Sequence, residues 1–116
     1  MHKQHRLAKR EDFNKVFRFG KSVANQQFVL YHLLKPDNDF FRLGVSVSKK
    51  IGNAVVRNRL RRIMKEIIRL NKENITLTAD FILIARKPIV AMDYQQVEGC
   101  MLHVLKKANL YKKRKG

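Results

Sequence analysis

The segment Asp80-Phe81-Ile82-Leu83-Ile84-Ala85-Arg86 restricts the fold more than any other. A near-continuous apolar run of this length, closed at both ends by charge, is expected of an interior strand covered on both faces. Other strands and helices must therefore supply that cover. Phe41, Leu43, Val45 and Val47 alternate with Arg42, Gly44, Ser46 and Ser48, which predicts a second strand with one buried side and one open side. Gln27 to Leu34 is rich in aliphatic and aromatic residues and predicts a third, closed by the turn residues Lys35-Pro36-Asp37-Asn38-Asp39.

Three helices complete the pattern. Phe13, Val16 and Phe17 follow i, i+3, i+4 spacing within Arg10 to Phe19, and Gly20 is placed to end that helix in a left-handed cap. A long basic helix follows Gly52 and runs to about Leu70, ahead of a connection over Asn71 to Thr78. The last helix is signalled by Asp93 with Gln96 three positions on, a variant of the capping box, and by Val97, Met101, Val104, Leu105 and Ala108 at helical spacing. The expected order is helix, strand, strand, helix, strand, helix. This is an α+β fold in which helices pack on a small mixed sheet. With 116 residues and no internal repeat, the chain is read as a single domain, 1–116, with a basic flexible tail from about 112.

Composition decides the partner class. An apolar content of 45% supports a buried core. The 26 Lys and Arg outnumber the 9 Asp and Glu, and a formal net charge of +17 steers polyanions toward the surface. Nucleic acid is the expected partner. No basic amphipathic helix with an aromatic apolar face points to a membrane surface, and no stretch approaches the roughly 20 apolar residues of a membrane span. Cys100 stands alone, so it is read as a small core residue; the chain has no internal disulfide and no thiolate metal cage, which suits the reducing cytoplasm.

The positive charge is concentrated. Projecting Arg57 to Leu70 at about 100° per residue gathers Leu60, Ile63, Met64, Ile67 and Ile68 into an arc of roughly 140°. The opposite side carries Asn58, Arg61, Arg62, Lys65 and Arg69, with Arg59 and Glu66 on one flank and Arg57 in the first turn on the apolar side. A face that merely meets water is favoured by mixed signs, because like charges at i,i+4 cost about what opposite charges gain, roughly 0.2–0.5 kcal/mol. Only Glu66 is acidic between Lys49 and Arg69, so an external polyanion is the natural source of neutralisation. Just upstream, Lys49 and Lys50 share a neighbourhood with the free N–H groups of the helix's first turn, which favour phosphate. Gly52 there serves either close phosphate approach or an ordinary tight turn.

The run Lys49-Lys50-Ile51-Gly52-Asn53-Ala54-Val55-Val56-Arg57-Asn58-Arg59-Leu60-Arg61-Arg62, with its Arg-Asn-Arg core, closely resembles the signature of the bacterial ribonuclease P protein family. The resemblance extends to Asp12-Phe13-Asn14-Lys15-Val16-Phe17, Ser22-Val23-Ala24-Asn25, Phe28-Val29-Leu30-Tyr31, Arg42-Leu43-Gly44-Val45-Ser46-Val47-Ser48 and Ile84-Ala85-Arg86-Lys87-Pro88, in order along most of the chain. It implies a left-handed β-α-β crossover around the basic helix, an exception to the usual rule. It also implies a protein subunit that joins a catalytic RNA, the complex cutting the 5′ leader from precursor tRNA with Mg²⁺ held by the RNA and the substrate.

Two surfaces carry over from the resemblance. The face with Lys49, Lys50, Arg57, Asn58, Arg59, Arg61, Arg62, Lys65 and Arg69 corresponds to the one that meets the catalytic RNA. Phe13, Phe17, Tyr31 and Lys50 correspond to a cleft for the single-stranded leader, although without the resemblance Phe13 and Phe17 would be read as core. Gln26 departs from the family pattern where a basic residue is common, as does Arg61 where Lys is frequent, and Arg grips phosphate bidentately where Lys acts as a point charge. No catalytic residue, metal ligand set, membrane or obligate protein partner is expected. Asp37 and Asp39 make only a weak pair for a protein metallonuclease, and His2, His5, His32 and His103 lack ligand spacing. A ribosomal or other structural RNA-binding protein is the alternative that composition leaves open.

Overall fold

The computed structural model describes residues 5–75 and 78–112. His2 and most of the expected basic tail, residues 113–116, lie outside the described residues. The elements in chain order are helix α1 (Arg10–Phe19), strands β1 (Lys21–Ala24), β2 (Phe28–Leu34) and β3 (Arg42–Ser46), helix α2 (Ala54–Leu70), strand β4 (Ala79–Ala85) and helix α3 (Tyr94–Lys107). The sheet order is β1-β2-β4-β3. β4 pairs antiparallel with β2 and parallel with β3, so the sheet is mixed and β3-α2-β4 is its crossover unit.

The apolar run places β4 at the sheet's interior, where Phe81, Ile82 and Leu83 are fully buried. Its alternate residues serve two cores. Phe81, Leu83 and Ala85 join Phe28, Leu30 and Leu43 beneath α2 and α3, whereas Ile82 packs with Val16 of α1 and with Leu7, flanked by Phe13, Tyr31, Leu33 and Ile84. A helical layer thus covers each face, as a strand apolar on both sides requires. The outer edge of β3 is partly covered too, since the Leu7 amide donates to the Leu43 carbonyl at 2.9 Å.

Four sequence expectations are corrected. A fourth strand, β1, precedes β2; three of its four residues are exposed, so it has no apolar alternation to announce it. Gly20 is extended (φ −80°, ψ 174°) and not left-handed. Glycine is required there for space, because a Cβ would lie 2.5 Å from the Val16 carbonyl oxygen and 2.6 Å from that of His32. The polar side of β3 is not open along its length: Gly44 is buried beneath Phe13, while Arg42 and Ser46 on either side of it are half exposed. Cys100 is half-buried, packed against the edge of the core and not enclosed in it. The capping box at α3 forms as expected, with the Gln96 amide donating to Asp93 Oδ1 at 2.8 Å and the Asp93 amide to Gln96 Oε1 at 3.0 Å.

Candidate RNA interface

Helix α2 presents its charge because its apolar stripe is consumed by the core. Leu60, Met64, Ile67 and Ile68 are buried, and Asn58, Arg59, Arg62 and Arg69 are exposed on the other side, with Arg57, Arg61 and Lys65 half exposed. Asn53 caps the helix by accepting from the Val56 amide at 3.0 Å. One first-turn N–H is therefore already used, and no acidic residue in that turn offsets the positive end of the helix dipole. At Gly52 a Cβ would approach the Val56 side chain to 3.1 Å, a tight contact that a small shift of that side chain relieves.

The cations on this face differ in what they touch. Arg61 donates to Asn58 Oδ1 at 3.0 Å and reaches the Val47 carbonyl at 3.4 Å, which ties the Arg-Asn pair to the end of β3. Arg57 is half-buried, and its Nε is enclosed with no hydrogen-bond partner among the described residues. Arg69 donates through Nε (3.0 Å) and Nη2 to Glu66, a pair that raises the arginine's pKa and lowers the carboxyl's. That pair separates Arg69 from the others. Among the described residues, the remaining ion pairs involve Arg42, so Arg57, Arg59, Arg61, Arg62 and Lys65 have no acidic partner.

On the opposite sheet face, α1 brings the aromatic positions together. Val16 anchors the helix on Ile82, and Phe13 lies so close over Gly44 that a Cβ there would sit 2.5 Å from its Cζ. Phe17 remains 45% exposed and meets Tyr31 edge-on, with ring centroids 4.9 Å apart. In the next row of the sheet, Val29, Ile84 and Ser46 are half exposed. Lys49 and Lys50 are exposed on the turn that leaves this end of β3, closed by the Ile51 amide donating to the Ser48 carbonyl at 3.0 Å. Phe13, Phe17 and Tyr31 thus lie together on one shelf, whereas Lys50 is placed only on the turn beyond β3.

A cluster that sequence reading missed holds α1 in place. Arg42 on β3 grips both carboxylate oxygens of Asp80 on β4, Nε to Oδ1 at 2.7 Å and Nη2 to Oδ2 at 2.6 Å. Its Nη1 reaches Asp12 on α1 at 3.4 Å. The hydrogen bond to Asp80 is the main reason the guanidinium pKa rises further. The available signal was an arginine on a strand's polar side and an acid opening an apolar run. Among the described residues no group of three His, Cys, Asp or Glu could hold a metal ion, and no helix is long and apolar enough to cross a membrane. The carboxylates of Asp12 and Asp80 are both turned to Arg42.

The family model described as Ribonuclease P matches residues 1–109. The chain belongs to the ribonuclease P protein family. Its relatives include the ribonuclease P protein component of Halalkalibacterium halodurans, 49% identical over 110 residues covering 95% of this chain and 92% of the relative. That of Bacillus cereus is 47% identical over 115 residues, covering 99% and 100%. The solved ribonuclease P protein of Staphylococcus aureus superposes with a TM-score of 0.87 at 44% identity, covering 93% of this chain and 98% of that one. The family's place in the enzyme is that of the protein subunit of an RNA-based endoribonuclease that processes tRNA 5′ ends. Membership in the ribonuclease P protein family sets aside the ribosomal alternative.

Proposed function

We propose that this chain acts in the cytoplasm as one RNA-binding domain with two working surfaces. Helix α2, through Arg57, Asn58, Arg59, Arg61, Arg62 and Lys65 with Lys49 and Lys50 nearby, docks on the catalytic RNA of ribonuclease P. The shelf of Phe13, Phe17 and Tyr31, with Lys50 from the turn beyond β3, receives the single-stranded 5′ leader of precursor tRNA. The observation that carries the reading is the row of α2 cations left without an acidic partner among the described residues, together with aromatic rings only partly covered on the opposite sheet face. Phosphates supply the missing charge, and ring faces stack on unpaired bases of any sequence, each such contact contributing roughly 1–3 kcal/mol. Arg69, already bound to Glu66, contributes least.

The protein's part in the reaction is binding and positioning. Mg²⁺ held by the RNA and the substrate stabilises the developing charge and activates the attacking water when bound. The side chains of this chain fix the leader relative to the RNA, and alignment of reacting groups is where large rate factors arise. The test is reconstitution. In Mg²⁺, the protein mixed with a bacterial ribonuclease P RNA is expected to cut precursor tRNA at the mature 5′ end at low salt and low protein concentration. Metal-dependent cleavage by the RNA-free protein, or no effect of the protein on the RNA's activity, overturns the assignment.

A further inference from the structure

Where α3 begins, its first residue crosses the flank of α2. Tyr94 is 37% exposed and, with Ile63 as an apolar neighbour, lines a groove of about 550 Å³ whose walls carry Arg59, Arg62, Lys65 and Glu66. A volume of that size lies in the roughly 300–1,000 Å³ range of small-ligand clefts. The acid in the wall is already engaged, because Glu66 accepts from Arg69. The three cations therefore face the groove without an acidic partner among the described residues. The helix terminus itself offers little, since the Asp93–Gln96 box occupies its end groups. Recognition here falls to side chains: one aromatic face, one aliphatic neighbour and three positive charges.

That combination suits a nucleotide, because a flat base stacks on an aromatic ring while its phosphate pairs with Arg or Lys. We propose that the groove between α2 and the start of α3 holds one unstacked nucleotide of the catalytic RNA, its base against Tyr94 and its phosphate among Arg59, Arg62 and Lys65. The inference rests on the reading of α2 as the RNA-docking helix and extends that interface onto a second element. It also gives Arg59 and Arg62 a different task from Arg61, which is tied toward β3.

The chain has no tryptophan, so Tyr94→Trp installs a single indole reporter in the full-length protein. Titration with a bacterial ribonuclease P RNA at fixed salt is expected to quench that emission saturably. Tyr94→Ala is expected to weaken binding of the same RNA roughly 5- to 150-fold, with Tyr94→Phe restoring most of the loss because the ring is kept. Arg61→Ala, outside the groove, reports on α2 independently. Weaker binding by Arg61→Ala with wild-type binding by Tyr94→Ala overturns the groove and leaves the α2 reading standing; wild-type binding by both removes the two together. Equal losses for Tyr94→Ala and Tyr94→Phe also overturn stacking. If Tyr94→Ala fails to fold by its melting curve, the indole titration decides, and an unchanged emission at saturating RNA refutes the site.

Discussion

Removing Arg42 should separate the two jobs of its side chain, neutralising a buried acid and holding α1 to the sheet. The Asp80 side chain is 2% exposed, and Arg42 supplies two of its hydrogen bonds, the third being Asn38 Nδ2 at 3.2 Å. Arg42→Met keeps most of the stem's apolar contact but leaves a buried carboxylate with Asn38 as its one remaining side-chain donor among those identified. Breaking a buried pair from one side costs about 3–5 kcal/mol. Arg42 itself is 27% exposed, so water can partly replace it, and about 2–4 kcal/mol is the better figure. Against a total stability of about 5–15 kcal/mol, that is a large fraction. The double variant Arg42→Met/Asp80→Leu removes both charges and is expected to recover much of the loss, because replacing a buried pair with apolar groups is often close to neutral. Asp12→Asn, acting on the longer 3.4 Å contact, should cost under about 1 kcal/mol. Urea unfolding followed by circular dichroism of the wild type, these three variants and the single Asp80→Leu gives their energies and the coupling term of the Arg42–Asp80 cycle. A loss below about 1 kcal/mol for Arg42→Met, or a double variant as unstable as the sum of its singles, refutes the argument.

The other predictions concern the shelf and the sheet beneath it. Phe17→Ala or Tyr31→Ala should weaken binding of precursor tRNA to the holoenzyme by about 1–3 kcal/mol while sparing mature tRNA, measured as paired dissociation constants; equal losses for both substrates count against leader stacking. Gly44→Ala drives a methyl group into Phe13, which must swing from the sheet, so a stability loss of about 1–3 kcal/mol is expected in thermal melts together with weaker precursor binding. Burial, and secondarily Lys21, lowers the pKa of His32 below the ordinary histidine value of 6.5. Its unfolded form therefore gains a proton first as pH falls. The stability His32 contributes above about pH 6.5 should be lost progressively below it, and His32→Gln should flatten that part of the stability–pH curve.

What could be read from the chain followed the period of its apolar residues. The i, i+3, i+4 stripe of Leu60, Met64, Ile67 and Ile68 and the unbroken run of β4 both depend on neighbours close in sequence, so their burial was evident without coordinates. β1 was not, because an edge strand with three exposed residues lacks the alternation that betrays a strand. The role of Gly20 depends on the His32 carbonyl across the sheet, and the Arg42–Asp80 grip on a register joining residues 38 apart. No local pattern encodes either. The aromatic shelf lies between these cases: the i, i+4 spacing of Phe13 and Phe17 was plain, but which ring would lie beneath α1 and which would face solvent depended on how the helix sits over Gly44 and Tyr31.

The proposed surfaces lie on opposite faces of one sheet, and that is the mechanical point of the architecture. β3 serves both. Leu43 and Val45 pack toward the α2 core, while Gly44 lies beneath Phe13 and Ser46 stands half exposed in the next row of the sheet. Arg61, held to the Val47 carbonyl, and Lys50, on the turn just beyond, start from the same end of this strand. A nucleic acid gripped by the outer side of α2 is therefore separated from a strand lying along the shelf by that helix and the one sheet on which it packs. Small displacements of a bound substrate can cost orders of magnitude in rate. The protein subunit of an RNA-based endoribonuclease can serve the reaction by making such displacement stiff, and the buried Arg42–Asp80 pair, the Gly44–Phe13 contact and the shared strand all resist it.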